Sequence, residues 1–91
     1  MMVKILIPTT LQKHTNNQPT VELQASTVSE LIDVLEKSYP GIKNRIRKES
    51  GEINRYLNIY VKEEDIRFLQ GAETVLNEGD EVSIVPAVAG G

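Results

Sequence analysis

The chain has 91 residues, which suffices for one small domain with a single hydrophobic core. Apolar residues make up 40% and charged residues 25%, a balance typical of a globular domain and not of a disordered segment. The net charge of −3 argues against a nucleic-acid binder, and the absence of cysteine excludes disulfides, thiolate metal sites and a cysteine nucleophile.

Two strands joined by a polar loop are predicted at the start of the chain. Residues 2–8 are apolar and β-branched, and Pro8 ends this strand because proline cannot donate a ladder hydrogen bond. Residues 9–19 are polar and include an Asn-Asn turn signal. Polar and apolar residues alternate over 20–25, which predicts a half-buried second strand and therefore a hairpin.

One amphipathic helix is predicted over residues 28–38. Thr27, followed three residues later by Glu30, forms a capping-box pattern, and Pro40-Gly41 ends the helix. The apolar residues that recur at helical spacing are Val28, Leu31, Ile32, Leu35 and Tyr39. The polar residues expected on the solvent side are Asp33, Glu36 and Lys37.

Three further strands are predicted in the second half of the chain. Residues 56–61 alternate between polar and apolar, which indicates a strand. Residues 62–65 predict a charged turn, and residues 66–68 predict a short strand. A tight turn at residues 77–80 leads into the last strand at 81–85.

The resulting order, ββαβββ, indicates an α+β fold in which a sheet packs on one main helix. We expect one domain over residues 1–85 and a mobile tail over 86–91, because the tail has small side chains and two glycines. The single histidine, His14, is interpreted as a loop side chain and nearly excludes an imidazole metal site. No segment reaches the roughly 20 apolar residues that span a bilayer, and no signal segment is visible, so we expect a cytoplasmic protein.

The end of the chain carries a family resemblance. Gly79-Asp80 precedes a last strand with Val82 and Ile84 on one face, and Pro86 and the final Gly90-Gly91 follow. In this element order, the pattern resembles the ubiquitin-like sulfur carriers of the ThiS/MoaD family, whose β-grasp fold packs a mixed sheet on one main helix. Similarity to the cysteine-biosynthetic members of that family covers nearly the whole chain, through residues 7–9, 14–15, 39–42, 57–61 and 85–91.

The last two residues suit chemistry at a main-chain carboxylate. A C-terminal carboxylate is ionised at neutral pH and can attack a phosphorus atom when a partner supplies Mg²⁺ and positive charge. Gly90 and Gly91 have no Cβ, so the backbone can enter a narrow channel. Pro86 stiffens the exit from the sheet and directs the tail outward.

The resemblance implies that a ubiquitin-activating-like enzyme adenylates Gly91 with ATP and Mg²⁺, and that a sulfur donor displaces AMP to leave a thiocarboxylate. It further implies that a pyridoxal-phosphate-dependent cysteine synthase holds the acceptor and that a metalloprotease releases the cysteine. The chain is then a cosubstrate and not an enzyme, with no cofactor of its own, and a monomer when free. The residues expected to contact partners are Phe68, Pro86, Ala87, Val88 and Ala89.

Several surface residues have two interpretations. Phe68, the only phenylalanine, is either a core or sheet residue or part of an exposed docking patch.

Residues 42–48 predict a short helical turn, and the basic cluster there is interpreted as a solvated face, with docking of an acidic partner as the alternative. Residues 63–65 are interpreted as a charged turn and not as a metal site, and Tyr56 and Tyr60 as sheet-surface residues. The basic cluster comprises Lys43, Arg45, Arg47, Lys48 and Arg55.

Three other functions stay open. A small subunit of molybdopterin synthase would form the same thiocarboxylate but would bind the large subunit of that enzyme. A protein modifier would form isopeptide bonds to lysine. A β-grasp binding module with no activated end would tolerate the loss of Gly91.

Overall fold

A mixed five-stranded sheet crosses the molecule in the order β2-β1-β5-β3-β4 in the computed structural model, which describes residues 1–86. The strands are β1 (Met2–Leu6), β2 (Thr20–Gln24), β3 (Leu57–Val61), β4 (Glu64–Asp65) and β5 (Glu81–Pro86), and the α-helix among these residues is α1 (Val28–Ser38). The β1–β5 pair is parallel, and the other three pairs are antiparallel. The predicted α+β, β-grasp architecture is confirmed.

The helix begins and ends where its sequence signals predict. The Thr27 hydroxyl accepts a hydrogen bond from the Glu30 N–H at 3.1 Å, and the Glu30 carboxylate accepts one from the Ser26 N–H. The carboxylate thus reaches one residue beyond the N-cap, and it still satisfies a backbone donor at the start of the helix. At the other end, Tyr39 closes the helix by donating its N–H to the Leu35 carbonyl at 2.9 Å.

The core lies between α1 and one face of the sheet. Alternation along the strands directs one set of residues toward the helix, as the period of two requires. The helix contributes Val28, Leu31, Ile32 and Leu35, which surround the same small apolar space as the sheet residues Ile5, Ile59, Val82 and Ile84. All eight are buried. The predicted apolar stripe of the helix is confirmed, and Tyr39 packs partly buried against its edge.

Two stretches predicted as a loop and a strand form 3₁₀-helices instead. Residues Thr9–His14 form one 3₁₀-helix, with Leu11 buried against the core. Residues Ile66–Phe68 form another, because the Asp65 side chain accepts the Arg67 N–H and caps a helical turn. The strand predicted at 66–68 is therefore wrong, and the fourth strand lies two residues earlier, within the predicted charged turn.

The segment between α1 and β3 contributes two core residues that no periodic pattern indicated. A 3₁₀-helix spans Pro40–Ile42, and the chain then runs through turns instead of the short helix predicted at 42–48. Ile42 and Ile46 are both fully buried. They cover the end of the core beyond the helix, so this irregular segment is fixed by burial of its isoleucines.

Candidate functional site

The C-terminal strand continues beyond the end of its parallel neighbour. β5 pairs with β1 only as far as Ser83, opposite Leu6, whereas its pairing with β3 continues to Pro86, opposite Leu57. The last part of β5 therefore has a strand partner on one side only. Pro86, which the sequence assigns to the tail, is the last residue of this strand. The remaining predicted site residues lie outside the described part of the chain: Ala87, Val88, Ala89, Gly90 and Gly91.

The sheet face opposite α1 carries both apolar and polar residues near the end of β5, which we call the strand exit. The register aligns Leu6, Ser83 and Tyr60 in one row across three strands. In the next row toward the exit, Val85 lies opposite Asn58, and Val85 is 40% exposed. The sequence predicted Tyr60 as a sheet-surface residue but did not bring these residues together, because their grouping depends on strand order and register. We call Leu6, Tyr60 and Val85 the outer-face patch.

Phe68 projects from the sheet edge at 82% exposure, so the interpretation as a core residue is wrong. The turn that holds it is fixed by Asp65, a buried carboxylate. Asp65 accepts the Arg67 N–H at 2.8 Å and the Arg67 guanidinium at 2.6 Å. The same guanidinium donates to the Asn58 side chain at 2.9 Å. An exposed aromatic ring on a turn ordered in this way is a ready contact for a partner protein.

The Asp65–Arg67 pair predicts a pH dependence of stability. Hydrogen bonds from the Arg67 side chain and N–H hold the pKa of the Asp65 carboxyl below its ordinary value. The stabilisation is therefore fully present above the unfolded-state pKa of about 3.9 and is lost as the pH falls through the lower folded-state value. We expect Asp65→Asn to lower the free energy of unfolding at pH 7, and the difference from the parent protein to shrink below about pH 4 in urea titrations.

The amide introduced by the Asp65→Asn substitution cannot titrate. The pH dependence of the free energy of unfolding of that variant therefore comes from the other titratable groups. Arg67→Gln is the matched second variant, because it removes the guanidinium and leaves the carboxyl in place. A difference between parent protein and Asp65→Asn that stays constant from neutral pH to acid would contradict this role of the ion pair.

The basic cluster is split by the fold. Arg47 donates to Asp33 and to Glu36, each at 2.7 Å, and the hydrogen bond to Glu36 contributes most to raising the pKa of Arg47. Glu36, expected on the solvent side, is therefore half-buried beneath Arg47, because the segment after the helix folds back over it. The four cluster residues that stay exposed are Lys43, Arg45, Lys48 and Arg55.

Arg55 lies close to the strand exit. Its guanidinium carbon is 5.3 Å from the centre of the Tyr56 ring, a cation–π distance. Tyr56 directly precedes Leu57, the residue opposite Pro86. A positive charge and an exposed aromatic ring thus flank the end of β5.

His14 is a packing residue. It ends the first 3₁₀-helix, whereas the sequence predicted a loop at this position. A Cβ at Gly41 would lie 3.0 Å from the His14 Nδ1, so the glycine that follows the helix also makes room for the imidazole. The His14 Nε2 is buried without a hydrogen-bond partner among residues 1–86.

The described part of the chain contains no cluster of three or more His, Cys, Asp or Glu residues that could hold a metal ion. Within residues 1–86, no helix has the length and apolar character needed to cross a membrane.

Comparison with known proteins identifies the group to which this fold and this C-terminal sequence belong. The family model described as the ThiS family matches residues 5–91. The chain belongs to the ThiS family. The sulfur carrier protein CysO of Mycobacterium tuberculosis is 44% identical over 93 aligned residues, and the alignment covers 100% of both chains.

A second relative and a solved structure extend the comparison. The molybdopterin synthase sulfur carrier subunit of Mycobacterium tuberculosis is 33% identical over 72 residues, covering 78% of this chain and 72% of that protein. The crystal structure of the Amycolatopsis orientalis BexX/CysO complex contains a chain that matches with a TM-score of 0.90 and 45% identity, covering 98% of this chain and 99% of that one. Membership in the ThiS family and the names of these relatives support a sulfur-carrier role.

Proposed function

We propose that this chain is a sulfur carrier whose C-terminal Gly91 is loaded as a thiocarboxylate. The observation that carries the proposal is full-length similarity to CysO at 44% identity, together with the Gly90-Gly91 ending. The described fold supports it, because β5 extends past its parallel neighbour and leads toward that ending. The chain then serves as a cosubstrate of partner enzymes.

Loading takes two steps. A carboxylate oxygen of Gly91 attacks the α-phosphorus of ATP, which forms an acyl-adenylate and releases pyrophosphate; Mg²⁺ held by the partner neutralises the phosphates. A hydrosulfide equivalent from a sulfur donor then attacks the acyl carbon. AMP leaves, a proton is lost, and the C–O bond to AMP is replaced by a C–S bond. ATP and Mg²⁺ are bound by a ubiquitin-activating-like partner, and this chain needs no cofactor. ATP-dependent loading fits a cytoplasmic location.

The sulfur acceptor we propose is an activated serine derivative held by a pyridoxal-phosphate-dependent cysteine synthase. The CysO similarity covers the entire chain, whereas the similarity to the molybdopterin synthase subunit covers 78% of it at 33% identity. A role as the small subunit of molybdopterin synthase is the second candidate, supported by that relative. The two differ in the partner: stable recovery of a molybdopterin synthase large subunit, without a pyridoxal-phosphate enzyme, would favour the second.

The loading step is tested by intact mass measurement. The full chain is incubated with ATP, Mg²⁺, a sulfide source and the cognate activating enzyme, and the mass is expected to rise by the difference between sulfur and oxygen. Omitting ATP is the matched control. Unchanged mass with an enzyme that is active on another carrier would overturn the proposal. Branched lysine-linked peptides after digestion, in place of the thiocarboxylate, would instead indicate a protein modifier.

Phe68, at the sheet edge, and the outer-face patch are the partner contacts that we propose. Truncating Phe68 to Ala is expected to raise the KM of the activating enzyme for this chain about tenfold or more, because exposed aromatic anchors carry much of the energy of such contacts. The melting temperature should stay the same, since the ring is 82% exposed. Steady-state pyrophosphate release and thermal unfolding measure the two effects.

Met2→Ala is the control for the Phe68 substitution. Met2 is also an exposed apolar residue, at 39%, and it lies at the start of β1, four residues before Leu6 of the outer-face patch. Equal KM values for the Phe68→Ala variant and the parent protein would remove Phe68 from the contact surface.

A further inference from the structure

A groove of about 650 Å³ lies at the end of the sheet opposite the strand exit. Its lining includes Val61 and Lys62, at the end of β3, and the apolar residues Leu69 and Val75. Val61 pairs with Val82, four positions before Pro86 on β5. At about 3.3 Å per residue, these two positions are about 13 Å apart along the strand. We call this feature the distal groove.

The apolar residues of the distal groove are held in exposed positions by the backbone. Val75 is 60% exposed and Leu69 is 38% exposed. Val75 forms an isolated β-bridge with Thr27, and the next residue, Leu76, is almost fully buried and donates its N–H to the Ser26 carbonyl at 2.9 Å. The bridge to Thr27 and the buried, hydrogen-bonded Leu76 hold the backbone at Val75, so the Val75 side chain stays on the surface. A pre-formed apolar contact of this kind needs little ordering when a partner binds.

The lysine that lines the groove is already paired. The Lys62 ammonium lies 3.3 Å from the buried Asp80 carboxylate, which also accepts the Asn77 N–H. Lys62 and Glu63 form the tip of the β3–β4 hairpin with φ values of 53° and 72°. This left-handed conformation suits Asn or Gly better than residues with long side chains. The hairpin tip thus places a neutral ion pair at the rim of the groove.

Exposed carboxylates lie at the groove and in the chain segments next to its lining residues. Glu64 lines the groove, Glu63 precedes it, and Glu73 lies two residues before Val75. All three are exposed, and within residues 1–86 none of them forms a salt bridge. An apolar surface with exposed carboxylates at and beside it is complementary to an apolar side chain flanked by cations.

We propose that the distal groove binds a partner protein through a segment in which an apolar side chain is flanked by lysine or arginine. The apolar side chain packs on Leu69 and Val75, and the cations face Glu63, Glu64 and Glu73. The groove lies away from the strand exit, so this contact and engagement of the C-terminal end are compatible in one complex. The proposal goes beyond sulfur loading and does not depend on it.

The test is a titration of the full ¹⁵N-labelled chain with a blocked hexapeptide, Lys-Arg-Leu-Leu-Arg-Lys, followed by two-dimensional NMR. Saturable shifts confined to residues around Leu69 and Val75 are expected. The control peptide, Glu-Asp-Leu-Leu-Asp-Glu, should bind at least about tenfold more weakly. The variants Val75→Lys and Glu64→Lys should weaken binding of the basic peptide by a similar factor, whereas Val85→Lys, on the outer-face patch, should not.

Both groove substitutions are at exposed positions, and the dispersion of the remaining resonances reports folding of each variant in the same spectrum. Absence of saturable binding, equal binding of the two peptides, or full affinity in folded Val75→Lys and Glu64→Lys would each overturn the proposal.

Discussion

Deletion of Gly91 will reduce thiocarboxylate formation by about 100-fold or more. The deletion moves the reacting carboxylate back by one residue, about 3.5 Å, relative to a phosphorus atom held by the activating enzyme. Misplacement by even 1 Å can cost about two orders of magnitude in rate. The buried hydrophobic residues of the described chain all lie between Val3 and Ile84, so the free energy of unfolding should not change. Intact mass after timed loading reactions and urea unfolding measure the two quantities.

The variant Gly91→Ala distinguishes an effect of chain length from an effect of steric room around the last residue. It keeps the position of the carboxylate and adds one methyl group, so a slower but measurable loading is expected if the partner encloses the end of the chain in a narrow channel. Loading of the Gly91 deletion at the parental rate would contradict the proposed chemistry and favour a binding module with no activated end.

Replacement of Leu31 by Asp will remove a large part of the protein's free energy of unfolding and lower its melting temperature. Leu31 is 2% exposed and shares the helix–sheet core with Ile5 and Ile59. An unpaired carboxylate in such a place costs about 3–5 kcal/mol, in a domain whose total stability is on the order of 5–10 kcal/mol. Circular dichroism at 222 nm against temperature and urea gives the size of the loss.

Ser29→Asp is the matched control, since it puts the same side chain on the first turn of the same helix. A carboxylate there interacts favourably with the helix N-terminus, so the variant is expected to be as stable as the parent protein or slightly more stable. An equal melting temperature for Leu31→Asp and the parent would contradict the helix-on-sheet core described above.

Local pattern was enough to define most of the regular elements. The helix, with Thr27 as its N-cap, is found at the residues predicted, and the strands at 2–8, 20–25 and 81–85 are correct to within two residues at each end. Hydrophobic periods and capping signals are properties of neighbouring residues. A fold that packs one helix on one sheet face requires such patterns, so they can be detected in the sequence.

Short elements without a period could not be predicted in this way. The 3₁₀-helix at Ile66–Phe68 depends on the Asp65 carboxylate turning back to the Arg67 N–H, and an Ile-Arg-Phe sequence alone suits a strand equally well. The burial of Ile42 and Ile46 likewise depends on how the chain crosses the end of the core. The sequence grouped Arg47 with a basic cluster, but in the fold its charge is paired with Asp33 and Glu36 of the helix.

The sequence by itself determined the α+β class, the main helix with its buried stripe, and the glycine pair in the last residues, because each follows from the pattern of adjacent residues. Only the tertiary structure decided which surfaces the molecule presents: the outer-face patch depends on strand register, Phe68 on the turn held by Asp65, and the distal groove on segments far apart in the chain. The physical reason is that the period of a segment is a local property. Exposure and pairing, in contrast, depend on what other parts of the chain cover, and that is fixed only when the core closes.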